Sequence, residues 1–151
     1  MNPWLLIHMT LIFGGILALF LAVTGAALYL VQSRELKSRH PGGLSTRLPS
    51  LENLDRFHFK SLSVGVALFT LGILSGFFWA TDMRRSGELW KDSKVHLSIL
   101  TCFMYWVVLT VRAGALRRGQ KIAVGTLLIF VLLLATWMSA LYAPSAFHKG
   151  L

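Results

Sequence analysis

Residues 61–81 read SLSVGVALFTLGILSGFFWAT, a run without a single Asp, Glu, Lys or Arg. Crossing about 30 Å of hydrocarbon at 1.5 Å per helical residue takes roughly 20 apolar residues, with about 17 as the lower limit. This run is long enough, and three more uncharged stretches flank it, at 1–33, 95–111 and 122–147. The stretch 95–111 sits at the lower limit and the other two are comfortable. Charged residues make up only 14% of the 151-residue chain and apolar residues 55%, a balance that excludes an ordinary soluble domain. The chain therefore reads as an all-α integral membrane four-helix bundle, a single domain over 1–151 with spans at about 4–32, 61–81, 95–112 and 122–142.

A formal charge of +9 raises the question of nucleic acid. In a membrane chain, however, Lys and Arg gather in cytoplasmic loops and set orientation. With the N-terminus outside, the inner loops are 33–60 and 113–121, with Arg112 at the edge of the second. They hold Arg34, Lys37, Arg39, Arg47, Arg56, Lys60, Arg112, Arg117, Arg118 and Lys121, ten basic residues. The outer loop 82–94 and the C-terminal tail hold five: Arg84, Arg85, Lys91, Lys94 and Lys149. Both termini are thus expected on the outer, periplasmic face of a bacterial inner (cytoplasmic) membrane. No soluble basic domain is left over to bind nucleic acid.

The first span lacks a basic n-region and its apolar stretch is too long for a secretory signal, so it reads as a retained helix. Asn2-Pro3 suits its start, proline being favoured at the first helical position. Between spans one and two, His40-Pro41-Gly42-Gly43 and Leu48-Pro49-Ser50 forbid one continuous helix, and Ser50 is positioned to cap a short helix leading into span two. Gly72-x-x-x-Gly76 in span two is a small-residue pair that lets a neighbouring helix approach closely. Ala143-Pro144-Ser145 ends span four. The lone Cys102 lies in mid-span, which excludes a disulfide framework, a thiolate metal cluster and a C-x-x-C-H haem attachment site.

Four spans are an even number, so His8 and His148, at opposite ends of the chain, return to the same face. That outer face also collects Trp4, Trp79, Arg84, Arg85, Trp90, Lys91, Asp92, Lys94 and His96. An iron porphyrin needs apolar or aromatic walls, neutral imidazole nitrogens for its iron and cations for its propionates. The tryptophans supply the first, His8 and His148 the second, and Arg84, Arg85, Lys91 or Lys94 the third. Without C-x-x-C-H, any haem bound here is expected to be held non-covalently, as a haem b.

Each residue also has a plainer role. Histidines near helix ends sit at headgroup level, tryptophans form interfacial belts, and Arg84 and Arg85 suit lipid phosphates. His8 lies slightly below the interface, where a polar group without a partner is costly. His96 lines the same site or meets headgroups. Asp92 suits the positive end of a helix dipole. His40 and His58 fall on the inner side and are expected to be solvated loop residues.

At this level of detail the residues resemble the CcsA/HemX-like cytochrome c assembly proteins. Trp4-Leu5-Leu6-Ile7-His8-Met9 is similar to that family's W-L-x-I-H-V opening, and Tyr29-Leu30 to its helix exit. Leu48-Pro49-Ser50-Leu51-Glu52-Asn53-Leu54-Asp55 resembles its L-P-S-L-E-x-L-D linker. Leu71-Gly72-Ile73-Leu74-Ser75-Gly76-Phe77-Phe78-Trp79-Ala80 resembles its L-G-I-x-x-G-x-x-W-A helix, the most specific of these segments. Trp90-Lys91-Asp92-Ser93-Lys94 falls where the family carries W-x-W-D-P-K-E.

The likeness covers nearly the whole chain and corresponds to the C-terminal half of a full family member. It implies an outer-face haem site under a tryptophan-rich loop, with His8 and His148 as the ligand pair, presenting haem to an apocytochrome for thioether formation. Two departures bear on activity. Met83-Arg84-Arg85-Ser86-Gly87-Glu88-Leu89-Trp90 has few of the family's tryptophans and Ser93 replaces a proline, which brings the loop closer to the HemX-like branch. The family's N-terminal helices have no counterpart in this sequence. A haem-handling subunit is therefore expected, rather than a haem lyase acting alone.

The expected partners are the lipid bilayer, other membrane subunits, and an apocytochrome c or cytochrome c. Two other functions fit the same residues: a haem b electron-transfer subunit of a larger respiratory or photosynthetic complex, and a cofactor-free structural subunit built on the glycine face of span two. With no carboxylate inside the spans and no nucleophile paired with a base, hydrolysis and transport are poorly supported.

Overall fold

The computed structural model describes residues 3–38, 49–82, 90–114 and 119–142. They form four helices: α1 (Pro3–Lys37), α2 (Leu51–Asp82), α3 (Ser93–Gly114) and α4 (Gln120–Tyr142). All four are long and apolar enough to cross a membrane. The exposed side chains of the bundle include Leu17, Leu71, Phe78, Phe103, Leu128 and Val131. An outward-facing apolar surface of this kind is stable against lipid, where water no longer penalises it.

The helix ends follow from local chemistry. Proline opens α1, and Arg34 and Lys37 lie in its last turn, next to the negative end of the helix dipole. The Ser50 hydroxyl accepts a hydrogen bond from the Asn53 amide at 3.3 Å, the cap expected from the sequence. The helix it caps is not a short separate one: α2 runs unbroken from Leu51 into the span. No proline or glycine interrupts the chain between Ser50 and Gly65, and Leu54, His58, Leu62 and Val66, four residues apart, form one buried stripe. Asp92 caps α3 through its carboxylate, which accepts the Lys94 amide at 3.0 Å.

The α1–α2 pair is the largest interface. It is antiparallel and so close that side chains would not fit at its glycines. A Cβ on Gly15 would stand 2.8 Å from the Phe69 backbone nitrogen, and one on Gly65 would stand 2.9 Å from that of Leu19. Backbone cannot yield as a side-chain tip can, so both positions require glycine. Around this seam Leu19, Ala22, Leu62, Val66 and Phe69 pack with Cys102 and Tyr105 of α3 and Phe130 and Leu133 of α4. Threonine hydroxyls within the spans find acceptors inside their own helices, as Thr70, Thr101 and Thr136 show by donating to carbonyls four residues earlier.

One end of the bundle is tied by polar groups. Arg112 of α3 pairs with Asp55 of α2, both largely buried, and the guanidinium lies 5.3 Å from the centroid of the Phe59 ring. The Gln120 side chain of α4 donates to the Ser33 hydroxyl of α1 at 2.9 Å and accepts from Lys37 at 3.2 Å. His58 belongs to this end and is only 3% exposed, not a solvated loop residue. The Thr126 hydroxyl donates to the Ile122 carbonyl, so its lone pair receives the His58 Nε2–H at 3.1 Å. His58 is buried because it occupies the core face of α2, one turn on from Leu54. That stripe of four-residue spacing was the available signal in the sequence. His40 lies outside the described residues.

Candidate functional site

At the opposite end, α1 begins where α2 finishes, and antiparallel packing sets the first turns of one against the last turns of the other. His8 thereby faces Gly72 and Gly76. Its Nδ1 lies 2.7 Å from the Gly72 carbonyl oxygen. A carbonyl only accepts, so this ring nitrogen carries the proton, and in the neutral imidazole Nε2 keeps the lone pair. The Trp79 indole lies 6.5 Å from the imidazole, centroid to centroid, with the planes 19° apart. A Cβ on Gly76 would come within 3.0 Å of His8 Cε1 and Nδ1. The small-residue pair of α2 thus divides its work: Gly72 admits the α1 backbone, with the Ile12 nitrogen 3.2 Å from where its Cβ would be, and Gly76 makes room for a ring.

Beside His8 is a cavity of about 180 Å³. Its apolar wall includes Ile12, Phe69, Ile73 and Leu133, and its polar lining includes Asp92, Lys94, Ser98 and Thr136. Of the sequence-selected residues, His8, Trp79, Asp92 and Lys94 come together here.

The remaining described candidates stand to one side. Trp4 stacks on Phe78 with centroids 5.7 Å apart. Trp90, 61% exposed, packs on Phe77 at 6.0 Å and meets His96 edge-on at 6.3 Å. His96 is exposed and its Nδ1–H donates to the Asp92 carbonyl at 3.1 Å, which holds the imidazole against its own helix start. Arg84, Arg85 and His148 lie outside the described residues.

Sequence reasoning had not drawn on α4, yet Leu133, Thr136 and Trp137 all line the cavity. Thr136 and Trp137 were legible as the polar and aromatic residues within an aliphatic run. The rotation of α4 that sets them beside the cavity was not.

Among the described residues no group of three or more His, Cys, Asp or Glu side chains could hold a metal ion by itself. A porphyrin asks less of the protein, because the macrocycle supplies the equatorial nitrogens and only axial donors must come from side chains. His8, with Nε2 free and an aromatic neighbour nearly parallel to it, suits that role, and Lys94 suits a carboxylate at the rim. The cavity is smaller than the roughly 300–1,000 Å³ of typical ligand pockets. A whole macrocycle would extend beyond it.

Residues 1–146 match the family described as cytochrome C assembly protein. The chain is 33% identical to protein HemX of Brevibacillus brevis over 95% of its own length and 52% of that relative's. It is 22% identical to the cytochrome c biogenesis protein CcsA of Mesostigma viride, over 98% of this chain and 55% of the relative. The CcsA of Pyropia yezoensis is 26% identical over 70% of this chain and 33% of its own. The chain thus spans about half the length, or less, of these curated relatives. No solved structure matches it.

Proposed function

This chain belongs to the cytochrome c assembly protein family, and on that premise we propose that it is a haem-binding integral membrane subunit that handles haem for cytochrome c assembly. The iron ligands are His8 and His148 on the outer face of a bacterial inner membrane, with both termini outside and the haem b held non-covalently. The observation that carries this reading is the state of His8. Its Nδ1 is committed to the Gly72 carbonyl at 2.7 Å, so the nitrogen that remains is the one that binds iron. Metal-ligating histidines are commonly fixed in this way, with the other ring nitrogen donating to a backbone carbonyl.

The surrounding residues divide the binding work. Trp79 lies nearly parallel to the imidazole and gives the macrocycle an aromatic edge to rest on. Lys94, at the start of α3, attracts a propionate, and the adjacent Asp92 cap keeps that helix start in place. Arg84 and Arg85 supply further cations, while Trp4, Trp90 and His96 flank the site. Bound haem supplies a redox-active iron and the macrocycle to which an apocytochrome is joined by thioether bonds. The modest cavity favours cover by a partner membrane subunit or by the apocytochrome itself.

The test is a reduced-minus-oxidised visible spectrum of the protein purified in detergent. Wild type is expected to show a haem b signal, His8→Ala to lose most of it, and the double variant His8→Ala, His148→Ala to lose all of it. A well-folded wild-type protein without haem, or a signal unchanged in the double variant, rejects the proposal.

A further inference from the structure

The Gly72 carbonyl serves more than His8. The Ser75 hydroxyl, buried in the same turn, donates to it at 2.7 Å, the same length as the bond from His8 Nδ1. Two side-chain donors therefore share one oxygen that also accepts the Gly76 amide of its own helix. Each donor draws electron density from the oxygen and weakens its hold on the other. Beside the same ring nitrogen, the missing side chain of Gly76 leaves the space in which the imidazole lies, since a Cβ there would come within 3.0 Å of Nδ1. One helical turn, Gly72 to Gly76, thus contains an acceptor, a competing donor and a recess, all directed at one imidazole.

We propose that this turn is the positioning element of His8 and that Ser75 is its tuning residue, setting through the Gly72 carbonyl how strongly His8 Nδ1–H is held. The consequence for iron rests on the haem reading proposed above. Donation from Nδ1–H to an acceptor raises the basicity of Nε2 as a ligand, and a more basic axial ligand favours the ferric state. Competition from Ser75 moderates that donation. In Ser75→Ala the carbonyl loses its competing side-chain donor and keeps only His8 and the amide of its own helix, so Nε2 becomes more electron-rich and the ferric form gains.

Nitrogen-15 NMR on histidine-labelled, haem-free protein in detergent reads the ring directly, with His8 assigned by its loss in His8→Ala. Wild type is expected to show His8 as the Nδ1–H tautomer with Nε2 unprotonated, the reverse of the form that prevails for neutral histidine in water. Ser75→Ala should keep that tautomer and shift its Nδ1 resonance, whereas Gly76→Ala should displace the ring and lose it. A His8 signal with the proton on Nε2, or a Nδ1 resonance unmoved in Ser75→Ala, overturns the proposal.

The second measurement is the midpoint potential of the haem-loaded protein. Ser75→Ala is expected to be more negative than wild type with haem content unchanged, and Ser75→Thr, which restores the hydroxyl, to return towards wild type. Equal potentials in wild type and Ser75→Ala refute the tuning role. A wild-type protein that takes up no haem removes the haem reading, and the tautomer result then decides the present proposal by itself.

Discussion

Arg112→Met removes the cation from a pair that lies at the boundary between polar network and apolar core. The Arg112 and Asp55 side chains are only 13% and 9% exposed, so water screens the pair poorly and cannot replace the missing charge. Breaking a buried pair by removing one partner costs about 3–5 kcal/mol, because the remaining charge stays desolvated. A cation–π contribution of about 1 kcal/mol from the Phe59 contact is lost as well. In the opposite direction, Arg112 Nε is buried without a hydrogen-bond partner, and methionine removes that orphaned donor, a relief of about 1–3 kcal/mol. The net expectation is a loss of about 3 kcal/mol. Replacing both partners, Asp55→Leu with Arg112→Met, leaves no buried charge and should recover the loss to within about 1 kcal/mol of wild type. Equilibrium unfolding in mixed micelles, followed by circular dichroism as the denaturing detergent fraction rises, measures both variants and the Asp55→Leu single. A loss below about 1 kcal/mol in Arg112→Met, or a double variant that loses the sum of the singles, would refute the reasoning.

Further expectations follow from the same packing. Gly15→Ala places a methyl 2.8 Å from the Phe69 backbone nitrogen and should lose about 1–3 kcal/mol in the same unfolding assay, while the adjacent Gly14→Ala, whose Cβ meets only a Leu68 methyl at 3.6 Å, should be near neutral. Thr126→Val keeps the shape of the side chain but removes the acceptor of His58 Nε2–H, an expected loss of about 1–3 kcal/mol; a neutral outcome refutes the bond. Asp92→Ala should destabilise by about 0.5–2 kcal/mol through loss of the α3 cap, and Asp92→Asn, which also caps, by clearly less. Orientation is tested in a Cys102→Ser background: Trp90→Cys in intact cells should react with a membrane-impermeant thiol reagent, and Lys37→Cys should react only after lysis. The reverse pattern inverts the topology.

The resemblance to the assembly family rested on short motifs, and their roles became physical only through helix pairing. Leu48-Pro49-Ser50-Leu51-Glu52-Asn53-Leu54-Asp55 was legible as a linker with a cap. The structure shows that its last residues already belong to α2 and that Asp55 is the carboxylate paired with Arg112. Charge pattern alone puts His58 in an inner loop, whereas the four-residue stripe containing it places it in the core. His8 was legible as a polar group that needed a partner. The sequence did not indicate that the partner would be a backbone carbonyl on α2, because backbone atoms leave no mark on composition.

Four helices, each long and apolar enough to cross a membrane, were determined by the sequence alone. Backbone desolvation in lipid is a local requirement, and uncharged length, a serine cap and prolines satisfy it without reference to the rest of the chain. The rotation of each helix about its axis was decided only by tertiary structure. Rotation depends on which ridges interlock, and here glycines at 15 and 65 let α1 and α2 meet at backbone distance. That fixed close approach aligns His8 with Gly72 and Gly76, and α4, packed on the same core, lines the cavity with Thr136 and Trp137. Uncharged length sets where a helix crosses, and contact between helices sets what it presents.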